Sequence, residues 1–310
     1  MEFLRFLESI RTPVGDALMS FITLFGEETL FIVLALVFFW CIDKKRGFYL
    51  LFTCFAGTVC IQFLKMAFRI PRPWVLDPNF TIVESAREAA TGYSFPSGHT
   101  QNAINTYGSI ARFTKHRAVR IACICIVPLV ALSRLYLGVH TPADVLVSLA
   151  IGCLLVFGLY PLMRRACERP ALMYAIIGAL IAIATAFVLY VECFPFPADV
   201  DVANLDAGRK NAWTVLGCAA AMLVVYTVDH FRTSFSTQAP LLAQLFKLLL
   251  GAALTLGIKS LLKAPLLLLF QEHPASHAVR YFLVVLFAAV LWPMTFPLWC
   301  RLCSRRTKTS

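Results

Sequence analysis

Charge is scarce in this 310-residue sequence, where Asp, Glu, Lys and Arg make up 15% against 59% hydrophobic residues. A soluble core of this size has no use for so much apolar surface. With a mean hydropathy of +0.75 and repeated apolar runs near the length of a bilayer span, the chain reads as a polytopic membrane protein. Clustered carboxylates are lacking too, which leaves no ligand set for a calcium- or magnesium-type site, so no metal or cofactor is expected. No internal repeat and no low-complexity linker divides the chain. The opening MEFLRFLESIRTP is too broken by charge to be the apolar core of a cleavable signal and reads as an amphipathic segment on the interface. Cysteine is not scarce, at 11. Nearly all of it falls inside apolar runs or beside basic clusters, so these residues read as small packing groups and not as disulfide or zinc ligands.

What is there is apolar helix punctuated by cations. The net charge of +11 invites a nucleic-acid partner until its positions are inspected; the cations sit in short clusters between apolar runs, as membrane topology requires, so no nucleic acid is expected. Candidate spans are a short one over 13–26 and nine clear ones over 27–42, 47–69, 98–113, 121–138, 143–163, 171–192, 211–229, 240–263 and 280–300. The expected fold is all-α, a polytopic transmembrane bundle with a six-helix core over 1–163 and about four extra C-terminal spans over 164–310. Lys44, Lys45 and Arg46, then Arg112, Lys115, Arg117 and Arg120, then Arg164, Arg165 and Arg169, and finally Arg301, Arg305, Arg306 and Lys308 all fall on one side by this count. The positive-inside rule makes that side, and the C-terminus, cytoplasmic.

Three polar constellations interrupt the front part. In KMAFRIPRP, Lys65 and Arg72 stand seven residues apart, two turns on a continuous helix, with Pro71 and Pro73 ending it. In FPSGHT, Pro96 and Gly98 break regular structure and Ser97 is placed to cap a helix starting near His99, whose free N–H groups suit an anion. In SRLYLGVHTPAD, Arg134 lies near the end of one span and His140 in a very short turn. Thr141 caps the next helix, Pro142 takes its first position and Asp144 about its third. An Asp four residues after a His can accept from one imidazole nitrogen and leave the other free to attack.

Each constellation taken singly also has an ordinary explanation: snorkelling cations, a plain cap, a wet-interface His. Together they are harder to dismiss, because the four span ends that carry them emerge on one membrane face. A cation at midspan costs at least about 2.5 kcal/mol, so three aimed at one region imply an anionic partner. Two His and a carboxylate beside Lys65, Arg72, Arg134 and a helix N-terminus describe a phosphate site with a nucleophile and an acid.

Lys-x6-Arg-Pro, Pro-Ser-Gly-His and Ser-Arg-x5-His-x3-Asp, in this order, resemble the type 2 phosphatidic acid phosphatase family of integral membrane lipid phosphatases, whose catalytic core is shared with vanadium haloperoxidases and glucose-6-phosphatase. The resemblance covers roughly residues 13–163, and the four rear spans lie outside it. It implies that His140 attacks phosphorus to form a phosphohistidine while Asp144 holds its ring. His99 would protonate the leaving oxygen and then activate water. Lys65, Arg72, Arg134, Ser97 and the Gly98 N–H would hold the phosphoryl oxygens, with no metal. A membrane lipid phosphate or diphosphate is the implied substrate; because the motif-bearing span ends emerge opposite the basic clusters, the site is expected at the extracytoplasmic face, and the motifs do not choose the lipid or the oligomeric state. A phosphotransferase passing the phospho-headgroup to a lipid alcohol and a non-enzymatic lipid-binding or transport protein on the same scaffold remain as alternatives.

Overall fold

A computed structural model describes residues 1–88, 90–233 and 235–306; Lys308, counted above in the last basic cluster, lies outside them. Among the described residues every regular element is helical. In chain order these are α1 (Glu2–Ser9), α2 (Pro13–Thr23), α3 (Glu28–Val37), α4 (Lys44–Phe68), α5 (Pro73–Leu76), α6 (Gly98–Ala103), α7 (Ser109–Phe113), α8 (Arg117–Tyr136), α9 (Pro142–Ala166), α10 (Pro170–Cys193), α11 (Val202–Val228), α12 (Leu241–Leu261), α13 (Lys263–Leu269), α14 (Ala275–Leu286), α15 (Trp292–Met294) and α16 (Phe296–Arg306). Backbone groups in hydrocarbon must be satisfied within their own segment, and helices achieve that.

Seven helices among the described residues are long and apolar enough to span a bilayer, and the pair 13–26 and 28–42, bent by 47°, passes the same test as one broken span. The nine clear spans expected from sequence are therefore fewer here. The difference lies partly at α6 and α7, which a π-helical turn over 104–108 joins into one run only 16 residues long. Its Thr100, Gln101, Asn105, Thr106 and Ser109 are all buried. Polar side chains lower its hydropathy because they face protein and not lipid.

Two compact units divide the chain: residues 1–32, 50–164 and 193–208 in the first, and 33–49, 165–192 and 209–310 in the second. The first has a polar interior. Gln101 Nε2 donates to Asn105 Oδ1 (2.9 Å) and Asn105 Nδ2 to the Thr53 carbonyl (3.3 Å), tying α6 and its π-helical turn to α4. On α9 the outward Leu146, Leu154 and Phe157 are more than half exposed, as a lipid-facing stripe requires. The second unit is aromatic inside: Trp40 Nε1 donates to the Ala288 carbonyl and Trp292 Nε1 to that of Lys247, both at 2.9 Å. All 11 cysteines are free, including the Cys300–Cys303 pair on α16.

Candidate active site

The three constellations converge in the first unit, and local chain chemistry explains how each arrives. α4 ends at Phe68, where Arg69 takes φ +50°, so Lys65 and Arg72 do not share one helix face. They meet instead on the segment before Pro96. Lys65 Nζ donates to the carbonyl of Tyr93 and, at 3.5 Å, to that of Ser94. Arg72 donates from Nη2 to the Thr91 carbonyl (2.8 Å) and from Nε to that of Gly92 (3.1 Å). Two buried cations thus order residues 91–94 by binding carbonyl oxygens, which a loop packed inside the protein cannot leave bare.

Ser97 caps α6: its Oγ accepts from the Thr100 N–H (3.5 Å) and hydroxyl (3.0 Å), and Gly98 opens the helix with empty space where a Cβ would stand. The start of α9 is a reciprocal capping box, with Thr141 N donating to Asp144 Oδ2 (2.7 Å) and Asp144 N to Thr141 Oγ1 (3.3 Å). Ser148 Oγ reaches the carbonyls of both Ser97 and Asp144 at 2.9 Å, and Ser97 N donates to the Asp144 carbonyl (3.1 Å). The two helix starts are therefore held as one piece.

At their junction lies His140, 1% exposed. Arg72 Nη1 donates to its Nε2 at 3.0 Å and to the Val139 carbonyl at 2.9 Å. A guanidinium offers no lone pair, so Nε2 is the acceptor and the ring proton resides on Nδ1, 3.4 Å from Asp144 Oδ2. Burial, and after it the cations Arg72, Arg134 and Lys65, hold the His140 pKa well below the ordinary histidine value, so the ring is neutral at pH 7. A neutral imidazole with its proton fixed on Nδ1 presents a lone pair at Nε2, the form a nucleophile needs.

Sequence reasoning missed the supports. Ser94 Oγ donates to Asp144 Oδ2 (2.5 Å) and lies 3.5 Å from His140 Nδ1. From the last residue of α2, Thr23 Oγ1 accepts from Arg134 Nη1 (2.7 Å), and from the bend beyond it Glu27 Oε1 lies 3.4 Å from His99 Nε2. The only sequence signal for this pair is the polar TLFGEE inside an apolar stretch. Gly26 lies there because a Cβ would meet the His99 carbonyl at 2.9 Å. Arg134 is fully buried, and among the described residues nothing accepts from its Nε or Nη2. Also among the described residues, no group of three or more His, Cys, Asp or Glu is arranged to hold a metal ion.

The turn carrying His140 depends on Gly138, at φ +80°, where an added Cβ would lie 2.6 Å from Arg11 Nη2 and 3.0 Å from Phe80 Cε1. Gly138→Ala is expected to destabilise the protein by at least about 1 kcal/mol from the left-handed backbone alone. A lower thermal unfolding midpoint in detergent is the readout; an unchanged midpoint would mean the turn relaxes freely.

A histidine held in one tautomer by a carboxylate, a second histidine with its own carboxylate, and buried guanidinium groups, all carried on helix ends of an apolar bundle, define an integral membrane protein of the phosphatase class. The chain belongs to the PAP2 superfamily: residues 46–168 match the PAP2 superfamily itself, and residues 213–305 match the PAP2 superfamily phosphatase transmembrane extension. The second match corrects the reading that set all four rear spans outside the resemblance: it takes in the last three, while the span over 171–192 lies in neither match; those three carry no polar motif by which sequence inspection could recognise them. Among its relatives are undecaprenyl-diphosphatase BcrC of Bacillus subtilis, 29% identical over 151 residues (48% of this chain, 75% of that protein), and phosphatidylglycerophosphatase B of the same organism, 43% identical over 76 residues (22% of this chain, 37% of that protein). An undecaprenyl-diphosphatase of Sulfolobus acidocaldarius is 28% identical over 144 residues (46% of this chain, 68% of that protein). No solved structure matches the chain.

Proposed function

We propose that this protein hydrolyses a lipid phosphate or lipid diphosphate without a metal, through a phosphohistidine on His140, at the extracytoplasmic face. The observation that carries this reading is the position of His140 between Arg72 on Nε2 and Asp144 on Nδ1. Phosphate entering the site takes the Arg72 hydrogen bond and frees the Nε2 lone pair for in-line attack on phosphorus. As the N–P bond forms, the bond to the leaving oxygen breaks and His99 supplies its proton; His99 then takes a proton from the water that cleaves the N–P bond and releases inorganic phosphate. Arg134 Nε and Nη2, the Ser97 hydroxyl proton and the Gly98 N–H serve the phosphoryl oxygens together with Arg72 and Lys65. Residues 1–163 form the catalytic part in this reading and 164–310 its extension.

Sidedness rests on the basic clusters and the positive-inside rule. It requires the 98–113 run to cross, although 16 residues span only about 24 Å; its buried polar face fits a crossing helix shielded by protein. A polyprenyl diphosphate or a glycerophospholipid monophosphate is the favoured substrate, in line with the named activities of the Bacillus relatives. Lateral entry from the leaflet brings the phosphate to the site at the right depth, which supplies positioning that a soluble ester must obtain from contacts alone.

Phosphate release should be measured in vesicles of known orientation with a polyprenyl diphosphate, phosphatidylglycerophosphate, phosphatidic acid, a sphingoid phosphate and glucose 6-phosphate, in excess chelator. One or more lipids should be preferred over glucose 6-phosphate, and vanadate should inhibit. A requirement for added divalent metal, a preference for the soluble ester, or activity confined to the face bearing Lys44 and Arg117 would each overturn its part of the proposal.

A further inference from the structure

The second unit holds cations that no catalytic role absorbs. α14 begins just after a turn in which Gln271 and Glu272 take φ +51° and +65°. In its first two turns it buries Ser276, His277 and Arg280, which are 2%, 9% and 6% exposed. Arg280 stands five residues into the helix, about 7.5 Å along its axis, at a depth where a charge without a partner is costly. Its Nη2 donates to His277 Nδ1 at 2.9 Å, so the neutral His277 ring keeps its proton on Nε2. Among the described residues neither Arg280 Nε nor Ser276 Oγ has a hydrogen-bond partner.

Two further cations approach from neighbouring elements. Lys263 opens α13, across the hairpin from Arg280. Lys210 is on α11, two turns before Gly217, and Gly217 packs so closely on α14 that a Cβ there would meet the Ala278 carbonyl at 2.1 Å. That face of α11 therefore looks toward α14, and the charges of Lys210 and Lys263 both bear on His277. The ion pairs of this unit involve Lys44, Arg46 and Arg209; among the described residues no carboxylate pairs with Arg280, Lys210 or Lys263. A guanidinium N–H, a hydroxyl and an imidazole N–H at one helix start, with the charges of two exposed lysines on adjoining helices bearing on it, match a tetrahedral oxyanion.

We propose that Ser276, His277 and Arg280, with Lys210 and Lys263, form a second binding site for a phosphate group in the transmembrane extension, distinct from the His140 centre. The ligand is either the phosphate of an anionic lipid headgroup or free inorganic phosphate. The site does not rest on the hydrolysis reading.

The test uses the full-length His140→Ala protein, so that turnover cannot consume the probe. Dioleoyl phosphatidic acid bound per chain is counted by native mass spectrometry, and inorganic phosphate binding is measured by equilibrium dialysis. Adding Arg280→Gln should remove one bound equivalent or weaken it by about tenfold or more, and Ser276→Ala with Lys263→Gln should do the same with little demand on folding. Loss of lipid identifies a headgroup site; loss confined to inorganic phosphate identifies a free-phosphate site; either supports the proposal. Binding of both probes unaltered by both sets of changes overturns it. Arg280→Gln on the parental sequence should hydrolyse lipid phosphate at the parental rate if the catalytic reading holds. If no lipid is hydrolysed yet the Arg280-dependent equivalent persists, only the catalytic reading falls.

Discussion

His140→Ala is expected to abolish lipid phosphate hydrolysis, with a loss of at least about 10⁴-fold in kcat, because in the proposed mechanism it removes the atom that bonds to phosphorus. His99→Ala should cost about 10² to 10⁴-fold, the range for a general acid and base, since water can replace it poorly. The two variants separate further in rapid-quench experiments. His99→Ala should still form the acid-labile phosphoenzyme, most readily from a substrate with a good leaving group, whereas His140→Ala should form none. A His140→Ala protein that turns over at the parental rate would remove the nucleophile from the proposal. Asp144 is harder to probe by mutation, because its carboxylate also accepts from Thr141 N and Ser94 Oγ; Asp144→Asn perturbs a helix cap as well as the His140 tautomer.

Arg134→Ala carries the second large effect, about 10² to 10³-fold in kcat, the range observed when one donor to a developing oxyanion is lost. This guanidinium is fully buried, its one hydrogen bond is to Thr23 Oγ1, and Nε and Nη2 find no acceptor among the described residues. Holding such a group in the free protein is a cost, so Arg134→Ala should leave thermal stability unchanged or raise it while activity falls. A purely structural arginine would lower both together. Arg134→Lys should recover little, since one ammonium cannot bridge Thr23 and a phosphoryl oxygen in the planar geometry of the guanidinium. Thr23→Val removes one neutral acceptor and should cost no more than about tenfold. Parental activity in Arg134→Ala would place the phosphoryl group elsewhere.

Much of this site was legible in the sequence because its parts are local. Thr141, Pro142 and Asp144 cap one helix by spacing alone, and Ser97 caps another, so backbone chemistry within a few residues fixes where they stand. The contacts that complete the site were not legible, because each depends on a partner distant in the chain. Thr23 is 111 residues from Arg134, and Ser94 is 50 from Asp144. For Lys65 and Arg72 the two prolines already placed one in the last turns of the helix and the other at its exit, as the structure has them; what spacing could not give is that they meet by gripping the carbonyls of residues 91–94.

The sequence by itself determined the class of molecule. Its hydropathy requires helices in a bilayer, since no other open structure satisfies the backbone there, and three motifs in fixed order carry the histidines, the carboxylate and the cations. Only the tertiary structure decided which nitrogen of His140 bears the proton, because that depends on Arg72 arriving from one helix end and Asp144 from another. It likewise decided that, among the described residues, Arg134 keeps two donors without an acceptor and Ser276, His277 and Arg280 lie buried without a carboxylate partner. Hydrogen-bond satisfaction is a property of groups that meet in space, and a sequence pattern of period 3.6 specifies which face a residue occupies but not what that face will meet.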